Sequence, residues 1–319
     1  MKMLIALYCL LLAPLAWAGT PDYPPVSVPV EAVQVSDHGH YIPGLAGAAS
    51  PGNQGFMSNA GFVVTPEGVV VIDTLGTPSL AAAMLREIRK VTAQPIKIAI
   101  ISHYHADHYY GSQVFKDAGA ELWAHEAARG VLGSEAAQAR FAQRKQVLAP
   151  WVDDRLQRFV TPDRWLSGDT DFRLGGLTFR IRHVGPAHSP EDLVVFVAEE
   201  GVLYAGDLVF KGRVPFVGDA DSRAWLATLE RLIGLGPKVL VPGHGPASDT
   251  PVDDLVLTRD YLAFLRREMG RAVADLVDFD TAYAATDWSA YQAMPAFREA
   301  NRPNAYNTYL LMEKESLAR

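Results

Sequence analysis

Three histidines and one aspartate fall within six residues of the chain, in the run His103-x-His105-x-Asp107-His108. Neutral imidazole and carboxylate are the side chains that zinc and similar divalent ions prefer. Alternate residues of an extended chain point to the same side, so His103 and His105 can face one ion. Asp107 and His108 lie where the chain turns into a predicted helix, from which they can face a second ion. Because burying four such groups without a metal would be costly, the run predicts a metal site rather than a His-rich polar loop.

Three further candidate residues are each predicted to follow a strand. His188 comes after the predicted strand 177–184, Asp207 after 202–205, and His244 after 239–241. Glycine or proline flanks each of them, so the backbone turns tightly and presents a polar side chain at a sheet edge. The histidine run itself follows a buried strand predicted over 96–100. The pattern therefore predicts that all seven side chains meet at one edge.

The remaining patterns place strands and helices in two halves. The first half has a hairpin over 61–65 and 68–73, a helix over 77–90, the strand at 96–100, a helix over 109–118, a strand over 121–124 and helical character over 126–148. The second half has strands at 172–174, 177–184, 193–198, 202–205 and 239–241, and helices over 221–232, 253–273 and 309–317. Two strand-rich halves capped by helices indicate an α/β (α+β) fold, a four-layer αββα sandwich of two mixed β-sheets flanked by helices.

Composition is that of a soluble globular protein. The chain has 319 residues, 49% of them hydrophobic and 20% charged, which is enough for a sizeable core. The net charge of -7 and the lack of a basic stripe argue against a nucleic-acid partner. We expect one metal-binding domain over residues 19–250 and a C-terminal helical extension over 251–319 that packs on it. The expected partner is a small-molecule substrate, and the sequence leaves the oligomeric state open.

The first eighteen residues have the pattern of a secretory signal peptide. Lys2 precedes an apolar run that ends at Leu15, and Ala16-Trp17-Ala18 supplies the small-x-small cleavage pattern. The run is too short to span a bilayer stably, although an uncleaved anchor is the alternative. We therefore expect a periplasmic or secreted protein without a stable membrane anchor after cleavage. Cleavage also removes Cys9, the only cysteine, so the ligands must offer nitrogen and oxygen.

The seven residues, in this order, resemble the metallo-β-lactamase superfamily of hydrolases over roughly residues 33–246. The Gly206-Asp207 pair is more similar to glyoxalase II and its relatives than to the β-lactamases that place a cysteine there. The predicted signal peptide and the long C-terminal segment are similar to exported members found beside quinoprotein systems. The resemblance implies that Asp73 supports the site without binding metal. It also implies a ligand set for each of two ions: His103, His105 and His188 for the first, Asp107, His108 and His244 for the second, with Asp207 bridging both.

The resemblance implies a hydrolase that uses two divalent metal ions, with zinc as the default and iron or manganese as alternatives. Such a pair can share a hydroxide and lower its pKa toward neutrality. The hydroxide would attack the carbonyl of an ester, thioester or amide, β-lactams included. Asp207 would hold both ions, while Asp107 would also orient the hydroxide and pass a proton to the leaving group.

Candidate substrate residues lie near the metal ligands in sequence. Lys211 and Arg213 follow Asp207 closely and either hold a substrate carboxylate or are surface charges. Tyr109 and Tyr110 follow the histidine run and either reach the site or pack in the core. Four other histidines are expected to be structural rather than ligands: His38, His40, His125 and His183.

Three other functions use the same kind of scaffold. A di-iron redox protein is one, but those relatives generally carry glutamate at the position of His105 and an attached flavin domain. A phosphodiesterase or nuclease is the second, and the acidic balance of the chain argues against it. The third is a periplasmic accessory protein that binds metal without turnover.

We predict cleavage after Ala18 on export, because the small residues at positions 16 and 18 fit the signal peptidase pattern. N-terminal sequencing of protein recovered from the periplasm or medium should begin at Gly19. Exported material that still begins at Met1 would contradict the prediction.

Overall fold

The computed structural model describes residues 23–218 and 220–318, so the predicted signal peptide and Cys9 lie outside the described residues. The first half of the chain forms a seven-stranded sheet with its strands in sequence order. Strands β4 to β7 run parallel to one another, and the earlier pairs are antiparallel. The strands are β1 (Val33–Gln34), β2 (Gly39–Ile42), β3 (Ala60–Thr65), β4 (Gly68–Ile72), β5 (Ile96–Ile100), β6 (Glu121–His125) and β7 (Arg164–Leu166).

The second half forms a five-stranded sheet in the order β12-β11-β10-β9-β8. Its strands are β8 (Thr170–Leu174), β9 (Leu177–His183), β10 (Leu193–Val197), β11 (Val202–Phe210) and β12 (Val239–His244). Only the β11–β12 pair of this sheet is parallel among the described residues. Since the carboxyl ends of parallel neighbours meet at one edge, the β4–β5 and β11–β12 pairs are the natural places for converging side chains.

Helices cover the outer face of each sheet. They are α1 (Pro78–Val91), α2 (Ala106–Tyr109), α3 (Ser112–Asp117), α4 (Glu135–Val147), α5 (Ser222–Gly234), α6 (Pro251–Ala274), α7 (Phe279–Ala285) and α8 (Phe297–Leu317). Helix α1 shows why they form where they do: the Thr77 hydroxyl caps the N–H of Leu80, and Pro78 occupies the first turn. Its apolar stripe, including Met84 and Ile88, is fully buried.

Three apolar clusters separate the layers. One lies between the two sheets and includes Ile100 and Phe179, while a second packs α1 and α3 on the outer face of the first sheet. The third packs α5, α6 and α8 on the outer face of the second sheet, around the fully buried Trp225. The four-layer αββα sandwich of two mixed sheets is therefore confirmed. No helix within residues 23–218 and 220–318 combines the length and the hydropathy that a membrane crossing requires.

Several predicted boundaries were wrong. The single helix expected over 126–148 is a 3₁₀ helix (Glu126–Gly130) and α4, separated at Gly133, whose φ of 80° breaks the helix. Strand β11 continues to Phe210, so Asp207 lies within a strand rather than after it. Helix α8 begins at Phe297 instead of residue 309 and contains Pro303, which the periodicity did not accommodate.

Candidate metal centre

Asp73 joins the ends of β4 and β5. It follows β4 directly, in the left-handed region with a φ of 61°, and is buried. Its Oδ1 accepts the Ser102 N–H at 2.7 Å, and its Oδ2 accepts the Ser102 hydroxyl at 2.7 Å. The same Oδ2 lies 2.8 Å from Nδ1 of His108. Asp73 therefore fixes both the turn after β5 and one imidazole ring, which is the supporting position that the resemblance implies.

The second sheet brings three more side chains to the same place. His188 lies in the loop between β9 and β10, and His244 is the last residue of β12. Asp207 lies in β11 directly after Gly206, whose φ of 53° accompanies a shift in the β11–β12 register. That irregularity turns the Asp207 side chain out of the regular alternation of the strand.

The seven predicted ligands form two adjacent groups, within each of which all the potential ligand atoms lie within 4.8 Å of one another. Six of the seven are buried, and His105 is partly exposed. The first group contains His103, His105, His188 and Asp207, and the second contains Asp107, His108 and His244.

The two carboxylate oxygens of Asp207 face different groups. Oδ2 lies 3.4 Å from Nε2 of His188 and 3.7 Å from Nε2 of His103, in the first group. Oδ1 lies 3.0 Å from Nε2 of His108 and 3.3 Å from Nε2 of His244, in the second. One carboxylate is thus placed between two clusters of imidazole nitrogens.

Three of the rings are held through Nδ1, and three inward atoms of the centre have no hydrogen-bond partner among the described residues. Nδ1 of His244 contacts the Met57 carbonyl at 2.7 Å, Nδ1 of His103 contacts the Ser102 hydroxyl at 3.0 Å, and Nδ1 of His108 contacts Asp73. In contrast, Nε2 of His103, Nε2 of His108 and Oδ1 of Asp207 are buried and make no hydrogen bond to the described residues. An unsatisfied buried polar atom costs about 1–3 kcal/mol, and three at one point indicate a missing partner. Because each is an electron-pair donor, the donor set fits divalent metal ions.

The electrostatics of the centre also suit cations. Burial lowers the pKa of His103 and of His105 well below the usual value, and it lowers the pKa of His188 to about 4. These rings are neutral near pH 7 and have lone pairs to offer. Burial alone would raise the pKa of Asp207, but His244 and His108 outweigh it and hold that pKa well below the usual range. The first group is therefore three neutral rings beside an ionised carboxylate. In the second group, Asp207, Asp73 and Asp107 outweigh burial and raise the pKa of His108 well above its usual value.

A cavity of about 370 Å³ opens beside His244. Lys211 and Arg213 both line it, together with the loop near Gly44 and with Pro295 and Ala296 from the segment before α8. The Lys211 ammonium lies 3.3 Å from Asp254 of α6, so its charge is already engaged. The Arg213 guanidinium lies 5.8 Å from the centre of the Phe210 ring, and no described carboxylate lies within ion-pair distance of it.

The other candidate side chains lie away from this cavity. Tyr109 is buried against Tyr104, Tyr110 and Phe159, in an aromatic cluster rather than on the cavity wall. Of the histidines expected to be structural, His125 and His183 stack at 3.5 Å between ring centroids. The other two contact different partners: His40 stacks on Phe62, and Nδ1 of His38 lies 2.7 Å from Glu200.

Sequence reasoning missed the buried Asn59, which ties the glycine-rich loop to the end of β12. Its amide donates to the carbonyls of Pro242 and Gly245 at 2.8 and 2.7 Å, and its oxygen accepts the Gly44 N–H at 2.9 Å. The available signal was an asparagine two residues before a predicted strand. Sequence alone does not reveal which distant loop such a side chain bonds.

Comparison with known proteins agrees with this geometry. The family model described as the metallo-beta-lactamase superfamily matches residues 53–244, which hold all seven side chains. The chain belongs to the metallo-β-lactamase superfamily.

Several relatives within the superfamily are similar to the chain. A linear primary-alkylsulfatase of Pseudomonas sp. (strain ATCC 19151) is 25% identical over 243 residues, which cover 66% of this chain and 46% of that protein. A metallo-β-lactamase type 2 of Bacillus cereus is 24% identical over 64% of this chain and 71% of its own length. The solved sec-alkylsulfatase Pisa1 from Pseudomonas sp. superposes with a TM-score of 0.71 at 17% identity, over 88% of this chain and 50% of that one. The chain thus spans about half the length of these alkylsulfatases.

We predict that Gly243→Ala disrupts the centre, because a methyl group there would overlap Oδ1 of Asp207 and the backbone of β11. Overpacking of this kind costs about 1–3 kcal/mol of folding stability. Metal analysis of the purified variant should show less bound metal than in the wild type. Gly168→Ala is the control, since a methyl group at Gly168 meets only open space. Equal metal content in both variants would contradict the placement of Asp207.

Proposed function

We propose that this protein is a dinuclear metal-dependent hydrolase, with zinc as the default ion and iron or manganese as alternatives. The position of Asp207, with one oxygen toward each histidine group, is the observation that carries the proposal. His103, His105 and His188 would hold the first ion, and Asp107, His108 and His244 the second. A pair of bound divalent ions supplies an activated water at neutral pH and stabilises negative charge on the substrate.

Asp107 has a second role in this proposal. Its Oδ2 lies 3.4 Å from Nε2 of His244 and 3.7 Å from Nε2 of His108, at the inner face of the second group. The neighbouring His108 and His244 outweigh the effect of burial and lower the pKa of Asp107, so its carboxylate is ionised. An ionised carboxylate accepts a hydrogen bond from water, so Asp107 would orient the reacting water and pass its proton to the leaving group.

The substrate is an ester, thioester or amide, β-lactams included. A sulfate ester is the second candidate, and the alkylsulfatases among the relatives favour it. A sulfate ester is anionic and an acyl substrate can carry a carboxylate, and Arg213 on the cavity wall would bind such a group. Lys211 is less suited, because Asp254 holds its ammonium. We also propose that the protein works after export, on the strength of the signal pattern at its N terminus.

Replacing a ligand is expected to remove both metal and activity. His103→Ala and Asp207→Ala should each lower the hydrolytic rate by more than about 100-fold, because replacing even the partners of metal ligands costs 10–100-fold. The measurements are metal content and rates against lactams, thioesters, lactones, alkyl sulfates and phosphodiesters. His183→Ala is the control, since His183 stacks on His125 outside both groups. Two ions per chain with full activity in either ligand variant would overturn the assignment.

Arg213→Ala should raise the KM for an anionic substrate with little change in kcat. A hydrogen bond to a charged group contributes about 1.5–3 kcal/mol, which corresponds to roughly 10- to 100-fold in affinity. A neutral analogue of the same substrate should show no such loss. Lys211→Ala is the matched control and should have the smaller effect, because its ammonium is paired with Asp254. The same KM change for neutral and anionic substrates would argue against an anion contact at Arg213.

A further inference from the structure

The three histidines of the first group come from two chain segments of opposite sheets. Residues 102–105 follow β5 of the first sheet, and residues 188–193 lead into β10 of the second. Nε2 of His188 lies 2.9 Å from Nδ1 of His105, so the segments meet at the ligand atoms themselves. The segments are also joined by contacts that do not involve the ligand atoms.

Two hydrogen bonds join the segments on either side of His103. The Leu193 N–H donates to the Ser102 carbonyl at 2.9 Å, and the Tyr104 N–H donates to Oε1 of Glu191 at 3.1 Å. The first bond runs between backbone atoms. Glu191 is therefore the side chain that completes the connection.

Glu191 is a buried carboxylate without an ion pair to any of the described residues. It is 3% exposed, and its Oε2 makes no hydrogen bond to the described residues. Burying a carboxylate is costly unless it is paired or hydrogen-bonded, so the bond that Glu191 does make matters for its placement. Glu191 lies three residues after His188, and its partner Tyr104 lies between His103 and His105. The bond therefore links the segments that carry all three histidines of the first group.

Arg140 holds the same residue from the other side. It extends from α4, a helix without a buried residue, and its Nη1 donates to the Tyr104 carbonyl at 3.2 Å. With Glu191 on the N–H and Arg140 on the carbonyl, both peptide groups of Tyr104 are fixed. The direction in which His103 and His105 leave the backbone is fixed with them.

We propose that Glu191 is a positioning residue of the first metal group, and that Arg140 assists it by holding the Tyr104 carbonyl. The inference rests on the proposed function, because it assumes that His103, His105 and His188 bind one ion. Glu191 does not touch that ion in this account. It sets the spacing between the segments that carry the ligands, and so sets the affinity of one ion but not of the other.

The test is stepwise titration of the metal-free full-length protein with Zn²⁺ against a chromophoric chelator. Glu191→Ala should lower the affinity for one of the two ions by roughly 10- to 100-fold, because losing a residue that holds metal ligands in place lowers metal affinity by about this much. Asp107→Ala disables the second group. In that background, Glu191→Ala should lower the affinity for the remaining ion by the same factor. Glu191→Gln should restore the wild-type affinity, because its amide oxygen still accepts the Tyr104 N–H.

Glu199→Ala is the matched control. Glu199 also accepts a backbone N–H, that of Thr178 at 2.7 Å, but this bond is exposed and lies near the start of β9. It should leave both affinities unchanged. If Glu191→Ala fails to fold, Arg140→Met carries the test, since α4 is exposed, and it should weaken the same ion.

Unchanged affinities in Glu191→Ala would overturn the inference. An equal loss of affinity for both ions would also overturn it, and so would a Glu191→Gln variant that binds as weakly as Glu191→Ala. These results differ from failure of the proposed function, in which the wild-type protein itself would bind no pair of ions.

Discussion

The structure depends on one carboxylate placed between two clusters of buried imidazoles. Asp207 is 5% exposed, and its burial is tolerated because histidine nitrogens surround both of its oxygens. The rings are in turn held from behind, by Asp73 for His108 and by the Met57 carbonyl for His244. The sandwich around them serves to bring the ends of two parallel strand pairs, one from each sheet, to the same point.

Much of this centre was predictable because its signals are local. The spacing of His103 and His105 marks them as candidate ligands without knowledge of the rest of the fold. His188 and His244 stand out because glycine or proline beside them marks a turn at a strand end. Asp73 ends a strand that is apolar throughout, which is an unusual place for a carboxylate. The strands and helices were also predictable, because a buried face leaves a periodic pattern in the sequence.

What escaped prediction depends on contacts between distant segments. Lys211 and Arg213 are two residues apart and look equivalent in sequence. Both line the cavity, yet the Lys211 ammonium is paired with Asp254 of α6. Asn59 and Glu191 have no local pattern that reveals their bonds across the molecule. The start of α8 was misplaced because helix α8 includes a proline and an interrupted apolar stripe, and its position is set by packing against α6.

The segment before α8 shapes the cavity without supplying any of the seven candidate ligands. Pro295 and Ala296 line the cavity, and the Pro295 carbonyl accepts the Val214 N–H at 3.0 Å, yet both lie beyond the residues that the family model matches. Insertions or replacements there would reshape the cavity beside His244 while leaving every candidate ligand in place. Two chains with the same candidate ligands can therefore differ in the shape of the adjacent cavity through a stretch that supplies none of those ligands.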